Sequence, residues 1–105
     1  MYAGRRRTHE MRKRARWMNK ATDPVMELLD SSGLALPPGA IYYNLAQLME
    51  ISRASVTRAI DDLQRYGLVR KPPDSETYYE ITEQGEWYLQ GDIDANDLTP
   101  IDESE

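Results

Sequence analysis

The stretch that most limits what this chain can fold into runs from Ile51 to Val69. Within it Val56, Ile60, Leu63 and Tyr66 recur at steps of four, three and three residues, the spacing of one buried stripe on a helix. Ser52 stands ahead of the stripe as an N-cap, whose hydroxyl can take up an unpaired amide of the first turn. Gly67 follows it, where helices end in a residue at positive φ. On the remaining faces, the first two turns carry Arg53, Ser55, Thr57 and Arg58, side chains that can reach phosphate oxygens and base edges. The pattern is that of a helix that reads DNA.

A net charge of -5 over 105 residues argues against DNA until it is divided along the chain. Residues 1–20 carry +7, residues 21–50 carry -4, residues 51–71 carry +3, and residues 72–105 carry -11 with no base at all. Positive charge is therefore concentrated on an N-terminal arm and the proposed reading helix, and the acidic average conceals it. An acidic tail that merely maintains solubility would need no partner. Ten of the thirteen bases are Arg and only three are Lys, which suits a protein working in concentrated salt. Phosphate attraction weakens steeply there, since the Debye length falls to about 3 Å at 1 M.

Several chemistries drop out early. The chain has no cysteine, so disulfides and thiolate metal sites are excluded, and its only histidine, His9, stands in the basic arm without a partner. No cofactor is expected. Asp61 and Asp62 are adjacent and diverge by about 100° on a helix, and neither a Ser/His/Asp set nor a glycine-rich phosphate loop is present, so an enzyme is not expected. No run of eighteen apolar residues could span a membrane. Arg5-Arg6-Arg7 lacks the apolar stretch that an export signal needs next, so the expected location is the cytoplasm.

Taken in order, residues 1–20 form a basic arm, with a possible helix from Thr8 to Met18 and Trp17-Met18 packing on the domain. Asp23-Pro24 predicts an acidic N-cap followed by proline at the first helical position, with Val25, Leu28 and Leu29 buried and Gly33 as the stop. Leu34 to Leu36 is an extended link able to pair with a later strand. Pro37-Pro38 opens a second helix with Ile41, Leu45, Leu48 and Met49 facing inward, and Glu50-Ile51 turns into the opening stretch. Leu68–Lys71 and Tyr78–Thr82 then make a β-hairpin around the polar loop 72–77, with Tyr79 and Ile81 on one face. Thr82 caps a short last helix holding Trp87, Tyr88 and Leu89, stopped by Gly91. The fold class is mainly α (α+β): a three-helix core, a two-stranded hairpin and a short C-terminal helix. The expected domain covers residues 21–91, and residues 92–105 are an acidic tail with Ile93, Leu98 and Ile101 as isolated apolar points.

Two helices joined by a short turn, the second entering a major groove, make a helix-turn-helix, and the hairpin behind them makes a wing. Close packing of the two helices favours a small residue, and Ala46 is placed to supply it. Leu45-Ala46, Ile51-Ser52, Ser55-Val56-Thr57-Arg58, Leu63, Gly67-Leu68-Val69 and Tyr79 to Gly85 together resemble a winged helix-turn-helix of the MarR type. Trp17-Met18, Ala35-Leu36-Pro37-Pro38, Asn44-Leu45, Tyr66 to Val69, Ile81-Thr82 and Gly91 to Leu98 are similar to haloarchaeal proteins of the phage phiH repressor type. That resemblance implies sequence-specific DNA binding, usually as a dimer, and repression. Two positions depart from it. Glu50 stands where the turn often has glycine, so either a strain of order 1 kcal/mol is accepted or the turn has another shape. The wing tip carries Asp74 and Glu76, so the wing should touch DNA at its base, through Arg70 and Lys71.

On a helical wheel Ala54, Arg58, Asp61 and Arg65 lie opposite the buried stripe. Arg58 is placed to bond twice to guanine, Ser55 and Thr57 to reach phosphate or base, Ala54 to meet a thymine methyl, and Arg53 to take a phosphate. Asp61 and Asp62 mark where close contact should stop. Arg65 could equally be a solvated side chain. Arg5, Arg6 and Arg7 could lie in a minor groove or remain a solvated arm. The rival function is a winged-helix module that binds protein and not DNA, for which apolar anchors in place of the Arg58-centred face would be expected. A homodimer would have to use Met11, Trp17, Met18 and the final helix. No small-molecule ligand is evident, because no inducer-binding domain accompanies the winged unit.

Overall fold

The computed structural model describes residues 12–101. The element order is α1 (Thr22–Ser32), α2 (Pro38–Ala46), α3 (Arg53–Arg65), β1 (Val69–Arg70), β2 (Glu80–Ile81) and α4 (Glu83–Leu89), then a 3-10 turn over Ala95–Asp97. Helix α1 is the hub: α2, α3, α4 and β2 all pack against it. A helix with neighbours on several sides buries more than one stripe. Met26 is accordingly fully buried with Val25 and Leu29, whereas Leu28, expected inside, is only half-buried.

Helix α1 begins earlier than Asp23-Pro24 suggested. Asn19 Oδ1 accepts from the amides of Ala21 and Thr22 (2.8 and 3.1 Å), and the Thr22 hydroxyl donates to the Asn19 carbonyl. Asp23 is therefore a first-turn residue and not the cap. Pro24 still sits in the first turn, where an amide has no intrahelical acceptor, so its missing N–H costs no helical bond. Relieved of capping, Asp23 accepts a 3.0 Å hydrogen bond from the Tyr88 hydroxyl on α4 and pairs with Arg12. Arg12 also pairs with Glu27, and its Nε donates to the Leu89 carbonyl (3.0 Å). Tyr88 is fully buried, and burial and the Asp23 carboxylate both push its phenol well above its ordinary range.

Pro38 opens α2 as expected, but the chain after it departs from the expectation that Leu48 faces inward with Ile41 and Leu45. Leu48 is 80% exposed and Ala46 is exposed. The helix ends at Ala46, and the amides of Gln47 and Leu48 bond back to the carbonyls three residues earlier, at Asn44 and Leu45. That tighter winding swings Leu48 outward, off the face that Ile41 and Leu45 bury. Ala46, expected at the close approach of the two helices, is exposed, while Ala59 on α3 is fully buried. Glu50 does not adopt positive φ, since no described non-glycine residue does; the turn has another shape and needs no glycine.

Val69 pairs with Ile81 and Arg70 with Glu80 in the antiparallel hairpin. Leu36 extends it by exchanging two 2.9 Å backbone hydrogen bonds with Tyr79, as the extended link allowed. Thr82 joins hairpin to helix: its hydroxyl donates to the Gly67 carbonyl (2.7 Å) and accepts from the Gly85 amide (3.1 Å). Gly85 is the point of closest approach. A Cβ there would lie 2.6 Å from Ile81 Cγ1 and nearer still to the Leu68 carbonyl oxygen.

The flanking segments pack on this unit. Residues 12–18 are not helical, contrary to the helix suggested from Thr8 to Met18; Thr8 to Met11 lie outside the described residues. Lys13 instead pairs with Asp94 in a parallel bridge, the Asn96 amide group donates to the Arg14 carbonyl, and Ala15, Met18 and Ala95 are buried. Charge pairing and strand-like contact compete here with a helix whose basic residues would have crowded every face.

Candidate nucleic-acid interface

Helix α3 starts where the sequence indicated. Ser52 is extended, and its hydroxyl accepts from the Ser55 amide at 3.0 Å. Val56, Ala59, Ile60 and Leu63 are buried against the core. Tyr66, the expected end of the stripe, is half-buried and stacks on Trp17, with ring centroids 4.1 Å apart and planes 5° from parallel. Gly67 closes the helix at φ 79°. These contacts fix the rotation of α3 and thereby what it shows to solvent.

Arg53, Ala54, Thr57, Arg58, Asp61 and Arg65 are all exposed. Arg53 lies with its guanidinium 4.8 Å from the Tyr42 ring centre, a cation–π contact that orients the side chain without neutralising it. Arg58 and Thr57 have no side-chain partner among the described residues. Ser55 is half-buried; its hydroxyl lies 3.0 Å from that of Ser52, and its carbonyl accepts from Asn19 Nδ2 at 3.2 Å. One asparagine thus satisfies the amides of Ala21 and Thr22 at the start of α1 and braces the first turn of α3.

The wing base is differently arranged. Arg70 pairs with Glu80 across the hairpin at 2.8 Å, and Lys71 lies 5.7 Å from the Tyr79 ring centre. Both are exposed, while Asp74 and Glu76 occupy the exposed loop beyond. Arg5, Arg6 and Arg7 lie outside the described residues. Sequence reasoning missed Tyr42 and Asn19, which act on the site only through contacts across the fold. Their residue types alone carried no such signal.

The front of α3 presents no large apolar side chain; among the described residues the exposed ones include Leu34, Tyr43 and Leu48 elsewhere. A row of cations and hydroxyls on a rigidly seated helix, backed by a second helix and flanked by a hairpin, can place hydrogen-bond donors in a groove. No described helix is long and apolar enough to cross a membrane.

Comparison with known proteins agrees with this geometry. The family model for the winged helix-turn-helix phage repressor matches residues 11–100. The crystal structure of the PhiH1 repressor-like protein from Haloarcula marismortui is similar, with 28% identity and a TM-score of 0.70, over 86% of this chain and 97% of that one. Comparison with curated proteins yields no match. Fold, exposed reading face and family match converge: the chain belongs to the winged helix-turn-helix phage repressor family, a family of non-enzymatic DNA-binding regulators.

Proposed function

We propose that this protein is a sequence-specific transcriptional repressor that reads the major groove of double-stranded DNA with α3. The observation that carries this is Arg58, an exposed guanidinium at the middle of the reading face with no partner among the described residues. It is placed to bond twice to guanine. Thr57 and Ser55 serve phosphate or base contacts, Ala54 meets a thymine methyl, and Arg53, held by Tyr42, takes a phosphate. Arg70 and Lys71 anchor the wing base, with Arg70 exchanging Glu80 for phosphate in part. Arg5, Arg6 and Arg7 follow the neighbouring minor groove.

The repressor role draws its support from the family and from the repressor-like structural neighbour. The protein acts in the cytoplasm as a homodimer, with no small-molecule ligand. Trp17 and Met18 are engaged within the chain, so of the surfaces expected to dimerise, Trp87 on α4 is the described large side chain still exposed. Light scattering at high salt and tens of micromolar protein should give twice the chain mass, and a monomer there would remove the dimer from this proposal.

The central test is selection of bound fragments from the host genome, followed by mobility shift of the recovered sequence against random duplex over several salt concentrations. Enrichment of one motif, and reduced reporter output when that motif overlaps a promoter, are expected. Retention of no fragment even at low salt would favour the protein-binding alternative.

A further inference from the structure

The segment ahead of α1 lies along one edge of α3. Trp17 stacks on Tyr66 at the C-terminal end of that helix, and Asn19 Nδ2 donates to the Ser55 carbonyl in its first turn. Tyr66 follows Ser55 by eleven residues, so at 3.6 residues per turn the two fall within about 20° of each other around the helix. Ala59, on the same edge, is fully buried, and Ser55, Asp62 and Tyr66 are half-buried. Residues 17–19 thus border the reading face along the length of α3.

Residues 12–20 contain five bases and no acid. Three are engaged within the chain: Arg12 with Asp23 and Glu27, Lys13 with the Gly91 carbonyl, and Arg14 with the Asn19 carbonyl. The other two, Arg16 and Lys20, are exposed and have no side-chain partner among the described residues. Arg16 stands in a turn closed by the Met18 amide on the Ala15 carbonyl (3.1 Å), and both ends of that turn are buried. Lys20 is held between Asn19, bonded to α3, and fully buried Ala21. Asp62 is the carboxylate on this edge of α3, and neither cation pairs with it.

Arg58 lies about 60° around α3 from Ser55, on the exposed side, and Gln64 lies about 180° from Ser55. Gln64 shares a groove with Arg70 and Lys71 at the wing base. The reading face therefore has two cationic borders: the wing base on one side, and Arg16 and Lys20 on the other. A helix seated in a major groove about 12 Å wide has a phosphate backbone on each side of it. We propose that Arg16 and Lys20 bind phosphates of the backbone opposite the wing, so that the segment 16–20 is a second phosphate-binding border of the reading face. This rests on the DNA-binding reading given above. Because Trp17 and Asn19 fix the segment to α3, the phosphates it meets stand in set register with Arg58, which is how backbone contacts orient a reading helix.

The test measures affinity of the full chain and of R16Q, K20Q, R16Q/K20Q and K13Q for a duplex carrying the selected motif, by fluorescence anisotropy over a range of salt. R16Q and K20Q should each weaken binding about twofold to fivefold at low salt, as expected for exposed charge pairs. The slope of log affinity against log salt should fall by about 0.9 for each. K13Q removes the same charge beside Gly91 and should change affinity less. A scan of single neutral methylphosphonate linkages through the duplex then separates contact from a structural effect. At the phosphates concerned, a neutral linkage should weaken wild type and leave R16Q/K20Q unaffected, since the two changes remove one interaction. The same linkage pattern for R16Q/K20Q as for wild type, or an equal loss in K13Q, would overturn the second border while leaving DNA binding intact. Failure of wild type to bind any duplex would instead overturn the DNA-binding reading and this inference with it.

Discussion

A guanidinium held at the exposed centre of α3 can give two hydrogen bonds to one guanine edge, and alanine can give none. Arg58→Ala should therefore cost about 1–3 kcal/mol of discrimination between the selected sequence and random duplex. The ratio of the two dissociation constants is the measurement, and a ratio equal to that of wild type would remove Arg58 from the reading role. At the same scale, Tyr88 links stability to pH. Its phenol stays neutral in the folded chain to higher pH than the ordinary 10.0, because burial and then the Asp23 carboxylate disfavour the phenolate. The unfolded chain loses this proton first, so the contribution is intact below about 10 and declines as pH rises above it. Thermal melts through that range should fall for wild type and be flatter for Tyr88→Phe. Parallel alkaline limbs for the two proteins would show that Tyr88 is not the cause.

The helix-turn-helix behaves as an element with one costly end and one tolerant corner. Ser52 satisfies an otherwise unpaired amide at the start of α3, so Ser52→Ala should destabilise by about 0.5–2 kcal/mol. Leu48, apolar and inside a helical period, would be ranked as core by its spacing, yet it is 80% exposed. Leu48→Ser should change stability by no more than about 0.5 kcal/mol. Urea unfolding of both variants checks the pair. A large loss at Leu48 together with none at Ser52 would reverse the assignment of cap and corner. The difference is physical: periodicity marks residues only while the helix continues, and α2 stops at Ala46.

For the whole molecule, long-range charge and specific contact separate by their response to salt. Replacing Arg5, Arg6 and Arg7 by glutamine should weaken selected and random duplexes alike, and should reduce the slope of log affinity against log salt by about 0.9 for each phosphate that is no longer neutralised. A loss confined to the selected sequence would assign the arm to base reading instead. The distribution of charge makes this separation possible. The arm and reading face are basic while residues 72–105 carry eleven acids and no base, and the described part of that acidic segment is packed against the same domain.

The sequence by itself determined the order of elements, the cap at Ser52, the positive-φ stops at Gly33, Gly67 and Gly91, the hairpin and the polar front of α3. Each of these depends on spacing or on backbone preference over a few residues, and both are local. Tertiary structure decided what depends on neighbours distant in the chain: Asn19 bracing α1 and α3, Tyr42 orienting Arg53, Trp17 stacking on Tyr66, and the exposure of Ala46 where Ala59 is buried. Those pairings form because folding brings particular surfaces together, and no periodicity along one element specifies which surface it will meet. The same holds for the tail, where Ile101 reads as an isolated apolar point until the fold places Arg65 and Gly67 beside it.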